Sequence, residues 1–102
     1  MSSHRVAGVT DLEPETATQV VVDGEEICLA RAEDGTFHAL VDVCSHEEFP
    51  LSDGEVWGTE IECARHGSRF NLETGLPRGL PATGPVRAFA VKVEGDDVYV
   101  EK

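Results

Sequence analysis

Two short stretches of the chain, CSHEEF from Cys44 and CARHGSRF from Cys63, each place one cysteine and one histidine close together. The pattern is Cys44-x-His46, then sixteen residues, then Cys63-x-x-His66. Thiolates and imidazoles are the side chains that bind zinc and iron–sulfur centres. Four of them in this order indicate a metal centre. The competing explanations are a cysteine nucleophile with a histidine base, a disulfide, and coincidence.

The spacing of the four side chains separates these explanations. Structural zinc sites usually take two cysteines from one knuckle and two histidines from a helix. Here each pair holds one cysteine and one histidine, which suits a two-iron cluster with both thiolates on one iron and both imidazoles on the other. A nucleophile needs one activated thiolate and its base, not two matched pairs. A zinc site with the same four ligands remains the open alternative.

The composition of the chain indicates reduced cysteines and a charged, water-exposed surface. Three cysteines, an odd number, fit a disulfide framework poorly. The formal charge of −12 argues against nucleic acid and anionic membranes as partners, because both require clusters of Lys and Arg. No stretch approaches about 18 consecutive apolar residues, and the first residues lack the apolar core of a secretory signal. We therefore expect a cytoplasmic protein with no membrane contact and a single domain over residues 1–102.

Short strand-like segments separated by Gly and Asp predict an all-β antiparallel fold, a small sandwich or barrel. Turn signals at 23–24 and 34–35 predict a three-stranded meander, and one at 95–96 predicts a C-terminal hairpin. A further hairpin would place His66-Gly67 at its bend. Only residues 11–19 suggest a turn of helix. Neighbouring hairpins would present the two Cys/His pairs at loop ends, where they can converge.

The two Cys/His stretches resemble the ligand boxes of the Rieske family in order and in separation. The stretch LPATGP, residues 80–85, lies where that family has a proline-containing loop that shields its cluster, and the strand pattern is similar over essentially the whole chain. The resemblance implies a small β-sandwich of Rieske type in which two hairpin loops hold one [2Fe–2S] cluster. The implied ligands are Cys44, His46, Cys63 and His66. The histidine-bound iron would then face solvent, ringed by Glu47, Phe49, Arg65 and Pro81.

Within this family the chain resembles a free-standing Rieske-type ferredoxin. We expect no additional domain with a mononuclear iron, such as oxygenase subunits carry, and Phe49 and Arg65 stand where membrane-bound members have an extra cysteine pair. We expect a one-electron carrier, not a catalyst, that connects a flavin-dependent reductase with a Rieske non-heme iron oxygenase of aromatic rings. The −12 charge and Glu47 and Glu48 beside a ligand predict transient, electrostatic docking. The alternatives are an accessory subunit of a larger redox enzyme, such as nitrite reductase, and a zinc-stapled interaction module.

The resemblance also bears on the reduction potential. High-potential family members donate hydrogen bonds to sulfur from a serine and a tyrosine. The serine is present as Ser68, but the tyrosine position holds Phe70. The missing donor and the acidic chain predict a potential in the lower part of the Rieske range of roughly −150 to +300 mV. A backbone N–H around Gly67 is a further expected donor to sulfur.

Four other residues are expected to have structural roles. Cys28 lies in a strand and should be a buried free thiol. His38 should lie on a strand surface, His4 near a mobile terminus, and Trp57 in the core.

Overall fold

The computed structural model describes residues 2–43, 50–64, 67–78 and 84–102. Its strands are β1 Ser3–Gly8, β2 Thr16–Val22, β3 Glu25–Arg31, β4 Phe37–Val41, β5 Glu55–Trp57, β6 Glu60–Glu62, β7 Arg69–Asn71, β8 Ala88–Glu94 and β9 Asp97–Glu101. A single turn of 3₁₀ helix, Leu51–Asp53, precedes β5. Every strand pair is antiparallel, which confirms the predicted fold class. Across the described ranges, no helix has the length and apolar character needed to cross a membrane.

The larger sheet has six strands in the order β1-β9-β8-β4-β3-β2. The predicted meander is confirmed as β2, β3 and β4, and the predicted C-terminal hairpin as β8 and β9. The β2–β3 turn has a positive φ at both Asp23 (51°) and Gly24 (80°). This is the type I′ pattern, whose twist matches that of the flanking strands. Local turn chemistry therefore sets the register of the sheet that supports the site.

Strand β3 is buried on both faces because two layers cover it. Ile27 and Leu29 pack inside the curled six-stranded sheet. Cys28 and Ala30 pack on the opposite side, against the smaller sheet. This double burial explains why the middle of β3 is a continuous apolar run and does not alternate with polar residues.

The smaller sheet, β5-β6-β7, packs its inner face on the outside of the larger one. Val56, Ile61 and Phe70 supply that inner face, one residue from each strand. Burying each such side chain stabilises the fold by about 1.5–3 kcal/mol. The hairpin predicted around His66-Gly67 is present as β6 and β7, although His66 itself lies outside the described residues.

The prediction of a helical turn at residues 11–19 is wrong. Strand β2 begins at Thr16, and the preceding Glu15 has a left-handed φ of 61°. The Glu15 N–H donates to the carbonyl of Arg31 at 2.8 Å, which extends the pairing of β2 with β3. The conformation of this segment is therefore set by its pairing with β3 and not by the helical preference of residues near Glu15.

Two expectations for single residues are also wrong. Trp57 is 48% exposed, because it alternates along β5 with the buried Val56 and so points away from the core. His4 does not lie in a mobile tail but in β1, where it pairs with Val100 of β9. The expected surface strand position of His38 is confirmed, since it is half-buried in β4.

Candidate metal centre

The first Cys/His segment leaves the described part of the chain after Val43 and re-enters it at Pro50. Both ends of this segment are held by one buried carboxylate, Asp42, which is only 7% exposed. Oδ1 of Asp42 accepts from the Ser52 N–H at 2.7 Å, and Oδ2 accepts from the Ser52 hydroxyl at 2.7 Å. Oδ2 also accepts from Nε2 of Gln19 on β2, at 2.7 Å. The side chain of Asp42 thus joins the end of β4, the 3₁₀ turn and β2.

The second Cys/His segment is the turn between β6 and β7. Cys63 is 1% exposed, and its thiol is free. The Cys63 N–H donates to the Ser68 carbonyl at 2.7 Å, while the Cys63 carbonyl accepts from the Gly67 N–H at 2.9 Å. Gly67 has a φ of 73°, a left-handed conformation that glycine adopts without strain. The Gly67 N–H is thus bonded to the Cys63 carbonyl, and the expectation of a backbone donor to sulfur around this turn stays a prediction.

The third, proline-containing segment is anchored by an additional short pairing beside β7. Pro77 forms an antiparallel bridge with Phe70, and the Arg78 N–H donates to the Arg69 carbonyl at 2.8 Å. Gly75 then contacts the far end of the segment, since its carbonyl accepts from the Val86 N–H at 2.9 Å. A Cβ on Gly75 would lie 2.1 Å from the Val86 carbonyl oxygen, so only glycine fits there.

One buried cluster connects the ends of all three segments. Leu51 follows the first segment, Cys63 begins the second, and Val86 follows the third; all three pack in the same core. The described ends of the segments that sequence analysis assigned to the ligands and the shield therefore meet in one core cluster. The donor set of two thiolates and two imidazoles, with one thiol already buried at this convergence, fits a His₂Cys₂ iron–sulfur centre.

The position of Cys63 is the part of the predicted ligand set that the structure describes. The other three predicted ligands, Cys44, His46 and His66, lie outside the described residues. So do the residues expected to ring them, Glu47, Phe49, Arg65 and Pro81, and the further expected docking residue Glu48. Among the residues that are described, no group of three or more His, Cys, Asp or Glu side chains could hold a metal ion. The four-ligand assignment therefore stays a prediction.

Cys28 packs in the same buried cluster as the segment ends but belongs to strand β3 and is not a predicted ligand. It is completely buried in β3, as expected for a structural thiol. Burial raises the pKa of the Cys28 thiol far above its usual range, and the nearby negative charge of Asp42 adds to the shift. A thiol that is completely buried in a strand between two packed layers is inert and serves as part of the core.

The outer face of the smaller sheet carries features that sequence analysis missed. Nε of Arg69 donates to Glu62 at 3.2 Å, and Nη1 of Arg78 donates to Glu60 at 2.9 Å. The Arg69 guanidinium carbon also lies 5.8 Å from the centre of the exposed Trp57 ring. The face that borders the Cys63 turn is thus largely charge-compensated, although the chain is strongly acidic. Alternation along the strands would have placed these side chains on one face. The strands have only three residues each, however, which is too short to identify them from the sequence.

Asp42 is the other feature that sequence analysis missed. An aspartate two positions before a predicted ligand is usually a solvated loop residue. Only its burial and its bonds to residues 19 and 52 distinguish it.

Comparison with known proteins agrees with this geometry. The Rieske [2Fe-2S] domain family matches residues 2–90. The ferredoxin component of biphenyl 2,3-dioxygenase from Rhodococcus jostii is 42% identical over 79 residues, which are 78% of this chain and 74% of that protein. The ferredoxin of carbazole 1,9a-dioxygenase from Nocardioides aromaticivorans has a TM-score of 0.92 at 37% identity, over 98% of this chain and 97% of that chain.

A third similar structure is a complex of reduced oxygenase and oxidized ferredoxin in carbazole 1,9a-dioxygenase. One of its chains matches with a TM-score of 0.89 at 35% identity, covering 96% of this chain and 91% of that chain. The predicted family and cofactor are confirmed by these likenesses. The chain belongs to the Rieske [2Fe–2S] domain family, and it is an electron-transfer protein that carries one [2Fe–2S] cluster.

Proposed function

We propose that this protein carries single electrons from a flavin-dependent reductase to the terminal oxygenase of an aromatic-ring dioxygenase system in the cytoplasm. The observation that supports this most directly is the solved complex of an oxygenase with a ferredoxin, in which a chain of the same fold is 35% identical to this one. The ferredoxin components of biphenyl and carbazole dioxygenases support the same class of system. We also propose that residues 1–102 act as one domain, since the carbazole dioxygenase ferredoxin covers 98% of the chain.

The proposed ligands of the cluster are Cys44 and Cys63 on one iron and His46 and His66 on the other. Three observations support this set: the matched spacing of the two pairs, the burial of Cys63, and the convergence of the segments on one core. Cys28 is the remaining cysteine, and its burial within β3 removes it as a competitor.

The cluster supplies the chemistry, because it accepts and releases one electron without a bond being made or broken. The described residues prepare its surroundings. Two backbone hydrogen bonds join Cys63 to Ser68 and to Gly67, so the backbone of Cys63 is held in place. Leu51 and Phe70 are fully buried beside it and exclude water from that side. The net charge of −12 steers encounters with partners that carry a basic surface.

Loading with iron and sulfide tests the ligand set. The purified protein should contain about two iron and two acid-labile sulfide per chain and show the EPR signal of a reduced His₂Cys₂ cluster. Substituting Cys44, His46, Cys63 or His66 by alanine should abolish the signal. Cys28→Ala is the matched control, because it removes a buried thiol outside the set and should retain the full signal. A cluster that survives Cys44→Ala or His66→Ala would overturn the assignment.

Reconstitution tests the direction of electron flow. The loaded protein is mixed with the reductase and oxygenase of a biphenyl or carbazole dioxygenase system, and reduction and reoxidation are followed by visible absorbance. Reduction by NADH should require the reductase, and reoxidation should require the oxygenase with its substrate and O₂. Failure with several cognate pairs, with the cluster intact, would refute the partner assignment and leave the cluster assignment standing.

A further inference from the structure

Asp42 occupies a position that the proposed electron-carrier function does not explain. Its carboxylate binds Ser52, which lies ten positions further along the chain. Cys44 and His46 lie between these two residues in the sequence. The contact is made with both the N–H and the hydroxyl of Ser52, each at 2.7 Å. The two ends of the first Cys/His segment are therefore tied to one side chain.

The same carboxylate ties this segment to the larger sheet. Nε2 of Gln19 on β2 donates to Oδ2 of Asp42 at 2.7 Å, and the Asp42 N–H donates to the Glu26 carbonyl at 3.1 Å. Hydrogen bonds to an ionised acceptor are shorter and stronger than those between neutral groups. The carboxylate is 7% exposed, so water does not compete effectively for these bonds.

The exit of the segment is fixed just as firmly. Leu51 is completely buried, and Gly54 packs its backbone against the carbonyl of Glu62, the residue before Cys63. Ser52 lies between these two anchors. A shift of Asp42 would therefore be resisted at Ser52, and a shift of Ser52 would act on the start of the segment through Asp42.

We propose that Asp42 is a positioning residue for the cluster: by joining the two ends of the first Cys/His segment through Ser52 and Gln19, it keeps Cys44 and His46 aligned for binding iron. This inference rests on the proposed ligand set. Asp42 itself has no ligand role. The positioning role requires both carboxylate oxygens to accept hydrogen bonds, because all three donors are directed at them.

The donor–acceptor pattern provides a sharp test. Asp42→Asn keeps one acceptor oxygen for the Ser52 N–H but replaces the other oxygen by an NH₂ group. The Gln19 amide must then turn over to present Oε1, and the Ser52 hydroxyl must accept instead of donate. Gln19→Glu alone places two carboxylates together. The double variant Gln19→Glu/Asp42→Asn restores one donor facing one acceptor and keeps the net charge of the parent. A positioning role predicts that the double variant recovers what each single variant loses.

The measurement is the rate of iron release from the loaded protein to a ferrous chelator, followed by absorbance at a temperature well below unfolding. Asp42→Asn should release iron at least tenfold faster than the parent, which corresponds to about 1.4 kcal/mol. Ser52→Ala, which removes only the hydroxyl, should accelerate release severalfold, and Ser52→Thr should restore the parent rate. The double variant should return to within about threefold of the parent, allowing for context-dependent coupling. We also expect the EPR lines of Asp42→Asn to be broader than those of the parent, and those of the double variant to be as sharp as the parent's.

Asp53→Asn is the matched control, since Asp53 lies in the same 3₁₀ turn, is exposed, and loses the same charge. It should release iron at the parent rate. Parent-like release by both Asp42→Asn and Ser52→Ala would overturn the positioning role, as would equal acceleration by Asp42→Asn and Asp53→Asn, which would indicate an effect of charge alone. Retention of the cluster by Cys44→Ala would instead refute the ligand set, so the two failures are distinguishable.

Discussion

Substituting Gly54 by alanine should destabilise the protein strongly, although the backbone there is unstrained. Gly54 has a φ of −86°, which any residue adopts, so conformational preference is not the obstacle. The obstacle is space: a Cβ would lie 1.8 Å from the Glu62 carbonyl oxygen and 2.9 Å from its carbonyl carbon. Both atoms belong to the backbone of β6, so neither can rotate away. The substitution must push the 3₁₀ turn and β6 apart, next to Cys63.

The size of the effect follows from two opposing contributions. Forcing extra atoms into a packed region costs typically about 1–3 kcal/mol, and a backbone clash belongs at the upper end. Replacing glycine also restricts the unfolded chain, which stabilises the fold by about 0.4–1 kcal/mol. The net loss is about 2 kcal/mol, which lowers the melting temperature of a domain of this size by about 8–16 °C.

Thermal unfolding followed by circular dichroism measures this loss, with two glycine controls. Gly84→Ala introduces a Cβ with no atom within 4 Å and should change stability by less than about 0.5 kcal/mol. Gly24→Ala also meets open space but has a φ of +80°, so it should cost about 1 kcal/mol through the left-handed backbone alone. If Gly54→Ala melts within about 4 °C of the parent, the close packing of the 3₁₀ turn against β6 is wrong.

Three further predictions concern pH, salt and potential. Burial raises the pKa of the Cys28 thiol, so the folded state keeps a proton that the unfolded chain loses near pH 8.5. The contribution of this thiol to the free energy of unfolding is therefore fully present below that pH. Above it, the free energy of unfolding should fall by about 1.4 kcal/mol per pH unit. Urea unfolding from pH 7 to 10 should show a steeper fall of the free energy of unfolding in the parent than in Cys28→Ala. Equal slopes in the two proteins would contradict a raised pKa of the Cys28 thiol. Electron transfer to a cognate oxygenase should slow steeply as salt rises, because the Debye length falls from about 10 Å at 0.1 M to about 3 Å at 1 M; a salt-independent second-order rate would indicate apolar docking. The midpoint potential by protein-film voltammetry should lie below about +150 mV, with Ser68→Ala lowering it and Phe70→Tyr raising it; a higher midpoint would show that the missing tyrosine donor and the acidic chain do not dominate.

Sequence reasoning identified the family, the cofactor and the main hairpins because their determinants are local. A two-residue turn with positive φ favours a dipeptide such as Asp-Gly whatever surrounds it, and Asp23-Gly24 has that geometry. The Cys/His spacing is equally local, since each pair must reach a metal from one short loop. The buried thiol of Cys28 was predictable for a similar reason, as it stands in a short run of apolar residues.

The errors arose where a residue's partner is distant in the chain. Nothing near His4 predicts β1, because that strand forms only by pairing with β9, where Ser3 reaches Glu101 across 98 positions. The side on which Trp57 lies depends on β5, a strand of three residues that carries too little alternation to be identified.

The position of Asp42 was decided by the tertiary structure alone. In the sequence, an aspartate before a loop is indistinguishable from an ordinary solvent-exposed residue. Its carboxylate accepts hydrogen bonds from Gln19 and Ser52 only when the fold brings these residues to it. The sequence alone thus supplies the four proposed ligands of the cluster, because such a proposal depends on side-chain chemistry and spacing. The fold decided how the ends of the first segment are held, because burial and hydrogen bonding between distant residues exist only once the two sheets have packed.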